Sequence, residues 1–422
     1  MASTYDLPGF VWNKATELTD GVYRVGVNIE DPDYLFEGLW PIPDGTSING
    51  YAVRGEKKAI IDLTQILFDF PDRYTKQLEE IGFPLEDVDY VIINHLEPDH
   101  AGFLPVMAKV NSKTKFYCTP KAVPGIQAFA SIPLDRIVEV NDGDTLDLGA
   151  GKVLQFFHAP NVHWPEVMVT FEQSSGVLFT CDAFGSYGRV DEVFDDQISD
   201  AKQEWYIQEA ERYYANIVAK FSRFVVRAID KLAPLVPQIS MICPSHGIVW
   251  RSKKDKIIDA YIRLAKYADG PAEPEVTVIW GSMYGYTKQM VDRVIEGLHS
   301  EGVKVHVYRV PKDDVGYVLG SAWRSSGLVL AMPTYEYRMF PPMAHVLDDF
   351  GRKEVKRKKV LRVGGFGWSG GASKEFSNLT AGLEWDCLPE VEWQGHASPE
   401  VLQKGYEAAR ELARQVKAYA LK

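Results

Sequence analysis

The stretch Asn94–Gly102, "NHLEPDHAG", places two histidines and two carboxylates within six residues. His95, Glu97, Asp99 and His100 can each donate an electron pair to a cation. The cluster follows "DYVII", residues 89–93, which reads as a buried strand. Loops rooted at strand ends are where a rigid scaffold carries chemistry. Pro98 and Gly102 suit a tight, irregular turn. Three single residues recur in the same setting. His163 follows "VLQFFHAPNV", Asp182 follows "GVLFTC", and His246, in "PSHG", follows "QISMIC". A histidine or aspartate after each of four apolar strands is a constellation rather than composition.

Seven such residues can serve two metal ions. A bridging carboxylate screens the repulsion between cations ~3.5–4 Å apart. Neutral imidazoles fill the remaining positions, and Glu97, Asp99 and Asp182 bring three negative charges. His158, in "FFHAP", reads instead as a packed or hydrogen-bonded histidine. The acid run "DEVFDDQISDAKQE", residues 191–204, reads as a solvated face or loop.

The rest of the composition narrows the field. The 422 residues carry a formal net charge of −12, which argues against nucleic acid as a partner. No apolar run approaches the ~20 residues of a spanning helix. The start, "MASTYDLPGFVWNKATELTDG", has acids and prolines where a secretory leader has a basic start and an apolar run. A soluble, cytoplasmic protein is expected. Cys118, Cys181, Cys243 and Cys387 are far apart, with no CxxC pair, so no four-cysteine metal site is expected within the chain.

A break near residues 268–275, "ADGPAEPE", reads as a linker. It divides the chain into domains 1–268 and 275–422. The second alternates β-branched runs with amphipathic helical stretches: five strands of a parallel, doubly wound sheet. The first is dominated by short strands, with helices near 71–82, 104–110 and 121–129 and a long helical region over 200–232. That pattern predicts two sheets with helices outside.

In the second half, "WGSMYGYTKQM" joins the first strand to its helix. A loop bearing Gly and hydroxyls at a helix N-terminus holds phosphate through free backbone N–H groups and the helix dipole. It is not GxGxxG, so the dinucleotide fingerprint is absent. "AMPTYEYRMFPP" and "GGFGWSGGA" follow the third and fourth strands, where ligands of such sheets bind.

The order H-x-E-x-D-H, then H, D and H, resembles the metallo-β-lactamase fold, an αββα sandwich. In its hydrolases the second motif position is usually histidine and the metal zinc. Glu97 stands there in this chain, and added carboxylate character favours harder, redox-active iron. Joined to a flavodoxin-like domain, the pattern resembles the flavodiiron proteins over nearly the whole chain. The resemblance implies one iron on His95, Glu97 and His163, and another on Asp99, His100 and His246. Asp182 would bridge them. "HWPE", His163 to Glu166, is similar to the family's His-Trp-Pro-acid segment. The His100 position is a ligand in some members and is displaced by water in others.

For FMN, the resemblance implies a phosphate loop of Ser282, Met283, Tyr284, Gly285, Tyr286 and Thr287. Ring-binding loops would come from Pro333, Thr334 and Tyr335 and from Gly365, Phe366, Gly367 and Trp368. It further implies reduction of O2 to water or of NO to N2O, fed by rubredoxin or a similar external donor. A head-to-tail homodimer, or a dimer of dimers, would bring one chain's FMN near the other's iron. Two alternatives stay open on the residues alone. One is a zinc-dependent hydrolase fused to a flavodoxin-like module. The other is a non-enzymatic flavin-binding redox sensor.

Overall fold

The computed structural model describes residues 14–420; the expectation about a leader falls mainly on residues 1–13, outside that range. The chain divides into two compact units. The first comprises residues up to Tyr34, Ile42–Ala210 and Arg227–Ile258; the second comprises Leu35–Pro41, Glu211–Val226 and everything from Asp259. The expected boundaries at 268 and 275 thus differ from the compact units. Two short segments of the first half, and residues from 259 onward, belong with the second unit.

The first unit is built on two sheets. One has seven strands in the order 16–19, 22–29, 46–54, 58–61, 90–92, 115–118 and 137–139. The other has five: 145–147, 153–158, 168–172, 177–181 and 241–244. Strand 46–54 is buried along nearly its whole length, and its Tyr51 ring meets Phe179 of the other sheet at 5.0 Å between centroids. Helices 70–80, 104–110 and 123–130 pack apolar side chains such as Tyr74, Leu104 and Ile126 against Val25, Val91 and Phe116. This is the expected sandwich.

The second unit carries a parallel sheet in the order 304–309, 273–280, 325–331, 359–366. The fifth position is split into Asp386–Cys387 and Val391–Gln394, both pairing with strand 359–366. Pro389 falls in the gap and has no N–H to donate, so the ladder cannot run through it. Numbered along the chain, the order is 2-1-3-4-5, the flavodoxin-like doubly wound arrangement.

Several local expectations change. The long helical region is interrupted: α-helix Asp200–Tyr213 passes through a π-helical turn, Tyr214–Val218, and a 3-10 turn before helix Ser222–Leu232. Helix Lys254–Lys266 was not expected, although "KDKIIDAYIRLAK" has a helical apolar period. No helix among the described residues is long and apolar enough to cross a membrane.

Candidate metal centre and flavin cradle

Four backbone crossings gather the seven donors in the first unit. Two residues beyond strand Tyr90–Ile92 lies Asn94, whose N–H donates to Asp62 Oδ1 at 2.9 Å. The Asn94 carbonyl accepts the N–H of Met168 and its side-chain oxygen accepts the Thr170 hydroxyl, so this strand end is tied to the second sheet. The expected irregular turn is in fact a one-turn helix, Pro98–Ala101. Pro98 stands where no N–H is required, and the N–H groups of His100 and Ala101 both close on the Glu97 carbonyl. His163 lies on the excursion between the paired strands 153–158 and 168–172. Asp182 follows Cys181, whose φ of 52° turns the chain sharply at the strand end. His246 follows the parallel neighbour 241–244, held where the Ser245 N–H donates to the Cys181 carbonyl.

Asp182 is buried at the centre. Its Oδ2 lies 3.1 Å from His163 Nε2 and 3.4 Å from His95 Nε2. Its Oδ1 lies 3.0 Å from His100 Nε2 and 3.2 Å from His246 Nε2. Glu97 joins the first group, 3.1 Å from His163 and 3.3 Å from His95. Asp99 joins the second, 3.4 Å from both His100 and His246. One carboxylate therefore faces His95 and His163 with one oxygen and His100 and His246 with the other, with Glu97 beside the first pair and Asp99 beside the second. Within each of the two groups the donor atoms lie within 4.8 Å of one another.

The charges hold each other. Burial disfavours a charged His163 imidazole, but hydrogen bonds to Asp182 and Glu97 outweigh it and raise its pKa to about 9. The same contest, won by Asp182 and Asp99, takes His246 to about 10. Burial pushes Glu97 and Asp182 up, and their imidazole partners more than reverse this, holding both below the ordinary carboxylate range. A cation bound here would take the place of the imidazole protons, which links metal uptake to proton release.

Behind the donors stand residues to which the sequence reading gave no role. His95 Nδ1 meets Glu166 at 2.8 Å, and His246 Nδ1 meets the Ser47 carbonyl at 2.7 Å. Asp62 is raised to about 6 by burial, against the pull of His100 and the Asn94 N–H. "HWPE" held a signal for Glu166; Asp62 had none, because only the fold brings it under Asn94. His158 is hydrogen-bonded to the Val140 carbonyl at 3.0 Å and stays outside the cluster, as expected.

In the second unit, a cavity of about 370 Å³ lies beyond the carboxyl ends of the strands. Of the flavin residues expected, all but Gly285 line it: Ser282, Met283, Tyr284, Tyr286, Thr287, Pro333, Thr334, Tyr335, Gly365, Phe366, Gly367 and Trp368. Glu336 and Gly395 line it as well and were missed. Gly285 shapes the loop rather than the wall. Its φ is 90°, strained for any L side chain, and its N–H donates to Ser282 Oγ at 3.0 Å as helix Tyr286–Ser300 begins. Trp368 is largely exposed and meets the Tyr337 ring edge-on at 6.0 Å, giving the cavity an aromatic rim.

Comparison with known proteins agrees with both halves. Residues 47–247 match a family model described as ODP family beta lactamase. The anaerobic nitric oxide reductase flavorubredoxin of Pectobacterium carotovorum is 33% identical over 377 residues, covering 88% of this chain and 72% of the relative. The crystal structure of the flavodiiron protein from Giardia intestinalis superposes with a TM-score of 0.90 at 26% identity, covering 98% of this chain and 99% of that one. The rubredoxin oxygen:oxidoreductase of Desulfovibrio gigas shares the fold, with a TM-score of 0.89 at 24% identity, over 96% of this chain and 99% of its own.

Proposed function

The chain belongs to the flavodiiron proteins, and on that footing we propose that it reduces a diatomic oxidant, dioxygen or nitric oxide, with electrons passed from FMN to a diiron centre. The carrying observation is the sorting of the four imidazoles into two pairs by the two oxygens of Asp182, with Glu97 joining one pair and Asp99 the other. The donor set fits two ions of intermediate hardness: four imidazoles, three carboxylates and no thiolate among the seven. Asp99 Oδ1 is buried and makes no hydrogen bond, as expected of an atom beside a cation that no protein group replaces.

His95, Glu97 and His163 would hold one iron, and Asp99, His100 and His246 the other, with Asp182 shared. Bound iron supplies the positions at which the diatomic binds and the electrons that reduce it. The chain's own task is to orient the donors, exclude bulk water and set the charge around them. The Ser282–Thr287 loop and the helix behind it suit the FMN phosphate, with N–H groups and dipole facing one anion. Pro333–Tyr335 and Gly365–Trp368 would flank the ring. All metal donors fall within 1–268 and all flavin loops within 275–422, which is the functional division we propose.

The electron donor in this reading is rubredoxin or a similar carrier, consistent with the names of the relatives. A head-to-tail homodimer passing electrons between chains belongs to the same proposal, on the ground of family resemblance. So does a cytoplasmic setting, supported by four free cysteines, three of them buried. Nucleic acid is not expected at a net charge of −12.

The decisive experiment is anaerobic reduction of the purified chain, with metal and flavin counted, followed by parallel O2 and NO consumption. Two iron ions and one FMN per chain, with sustained consumption of either gas, support the reading. Two zinc ions without iron would point to a hydrolase. An iron- and FMN-loaded protein that consumes neither gas would overturn the proposal.

A further inference from the structure

The imidazoles of the cluster are not held alike from behind. His95 Nδ1 lies 2.8 Å from Glu166 Oε1, and the same oxygen accepts the Leu96 N–H at 3.1 Å. Glu166 is buried, and its carbonyl is fixed by the Thr119 hydroxyl at 2.8 Å. His246 Nδ1 instead meets a neutral acceptor, the Ser47 carbonyl, at 2.7 Å. His100 Nδ1 is buried without a hydrogen bond. The segment His163–Glu166 thus supplies one donor of the cluster and, three residues on, the partner of another. Between them, the Trp164 ring stands edge-on to His95 at 5.0 Å between centroids.

We propose that Glu166 is a positioning residue that makes the His95–Glu97–His163 position the tighter of the two metal positions. The proposal rests on reading the cluster as a two-ion centre. A carboxylate can only accept here, so Nδ1 carries the proton and the Nε2 lone pair is left facing Glu97 and Asp182. Its charge also raises the donor strength of the imidazole. On the Asp99–His100–His246 side the partner behind an imidazole is the neutral Ser47 carbonyl at His246, in place of the carboxylate behind His95. That side lacks the added charge and releases its ion first.

The test compares the holoprotein with Glu166→Gln and Glu166→Ala. FMN content and far-UV circular dichroism serve as controls of folding. Each protein is challenged anaerobically with a graded chelator while iron per chain is counted, and the midpoint potentials of the cluster are titrated. The wild type is expected to pass through a state with one ion per chain. Glu166→Gln keeps both acceptor contacts but loses the charge. It is expected to weaken retention of that last ion about 10–100-fold and to raise one midpoint. Glu166→Ala is expected to weaken it further, and where that variant does not fold, Glu166→Gln decides. A wild type that loses both ions together, or variants that match it in retention and midpoints, overturns this inference alone. A wild type that binds no transition ion overturns the two-ion reading and this inference with it.

Discussion

A carboxylate at position 97 adds a charge to a cluster that already holds Asp99 and Asp182, and removes a neutral imidazole from it. It lies within 3.3 Å of two histidines and shares them with Asp182, so its effect falls on one ion position. Glu97→His is therefore expected to shift that position toward zinc. Metal analysis after growth with both metals supplied should show a higher zinc-to-iron ratio and unchanged FMN. At this scale the sequence was most legible where residues carry chemistry by type. Each of the seven donors follows an apolar strand, and the fold brings all seven together. It was least legible where a role depends on distant partners. Glu166 acts on a residue 71 positions away. Within the supposedly solvated acid run, Asp195 is fully buried and accepts the N–H groups of Arg251, Ser252 and Lys253. Charge alone does not reveal a carboxylate that serves as a backbone cap.

Strand Thr46–Arg54 shows how an element holds a site it barely touches. Ser47, Asn49 and Tyr51 alternate onto one face and all meet the segment that carries His246. Asn49 Nδ2 reaches the carbonyls of Pro244 and Gly247 at 2.9 Å each, and Tyr51 donates to Pro244 at 2.6 Å. Asn49 Oδ1 also takes two hydrogen bonds from Arg24, a buried guanidinium with no carboxylate paired to it among the described residues. Asn49→Leu leaves that charge without an acceptor and frees the His246 segment. A loss of about 3–5 kcal/mol is expected, read by chemical denaturation. Iron retention should fall as well. Element type was readable from period and length, while interruptions were not. A π turn at Tyr214–Val218 shifts the helical register by one residue, too little to disturb the letter pattern.

Across the whole molecule, a buried lysine makes stability depend on pH. Lys358 is fully buried, and burial lowers its pKa to about 7; its ammonium donates to the Trp323 carbonyl at 2.8 Å. Between about pH 7 and the ordinary lysine value of 10.5, the unfolded chain binds a proton that the folded chain does not. Stability should rise with pH across that window, and below it the full penalty applies. Lys358→Met is expected to flatten the slope of denaturation midpoint against pH over that range. The opposite result, a steeper slope, would sink the assignment.

The division of the chain has a consequence for inheritance. Leu35–Pro41 and Glu211–Val226 belong to the unit that carries the flavin loops, yet they are encoded inside the half that carries the metal donors. A recombination event near residue 270 would not transfer that unit intact; it would strand three of its pieces in the other parent, Leu35–Pro41, Glu211–Val226 and the stretch from Asp259 to the break. The halves of this gene therefore travel together more safely than apart. Grafting the C-terminal half onto another carrier means replacing those two internal segments and keeping the chain from Asp259 onward, not merely joining ends.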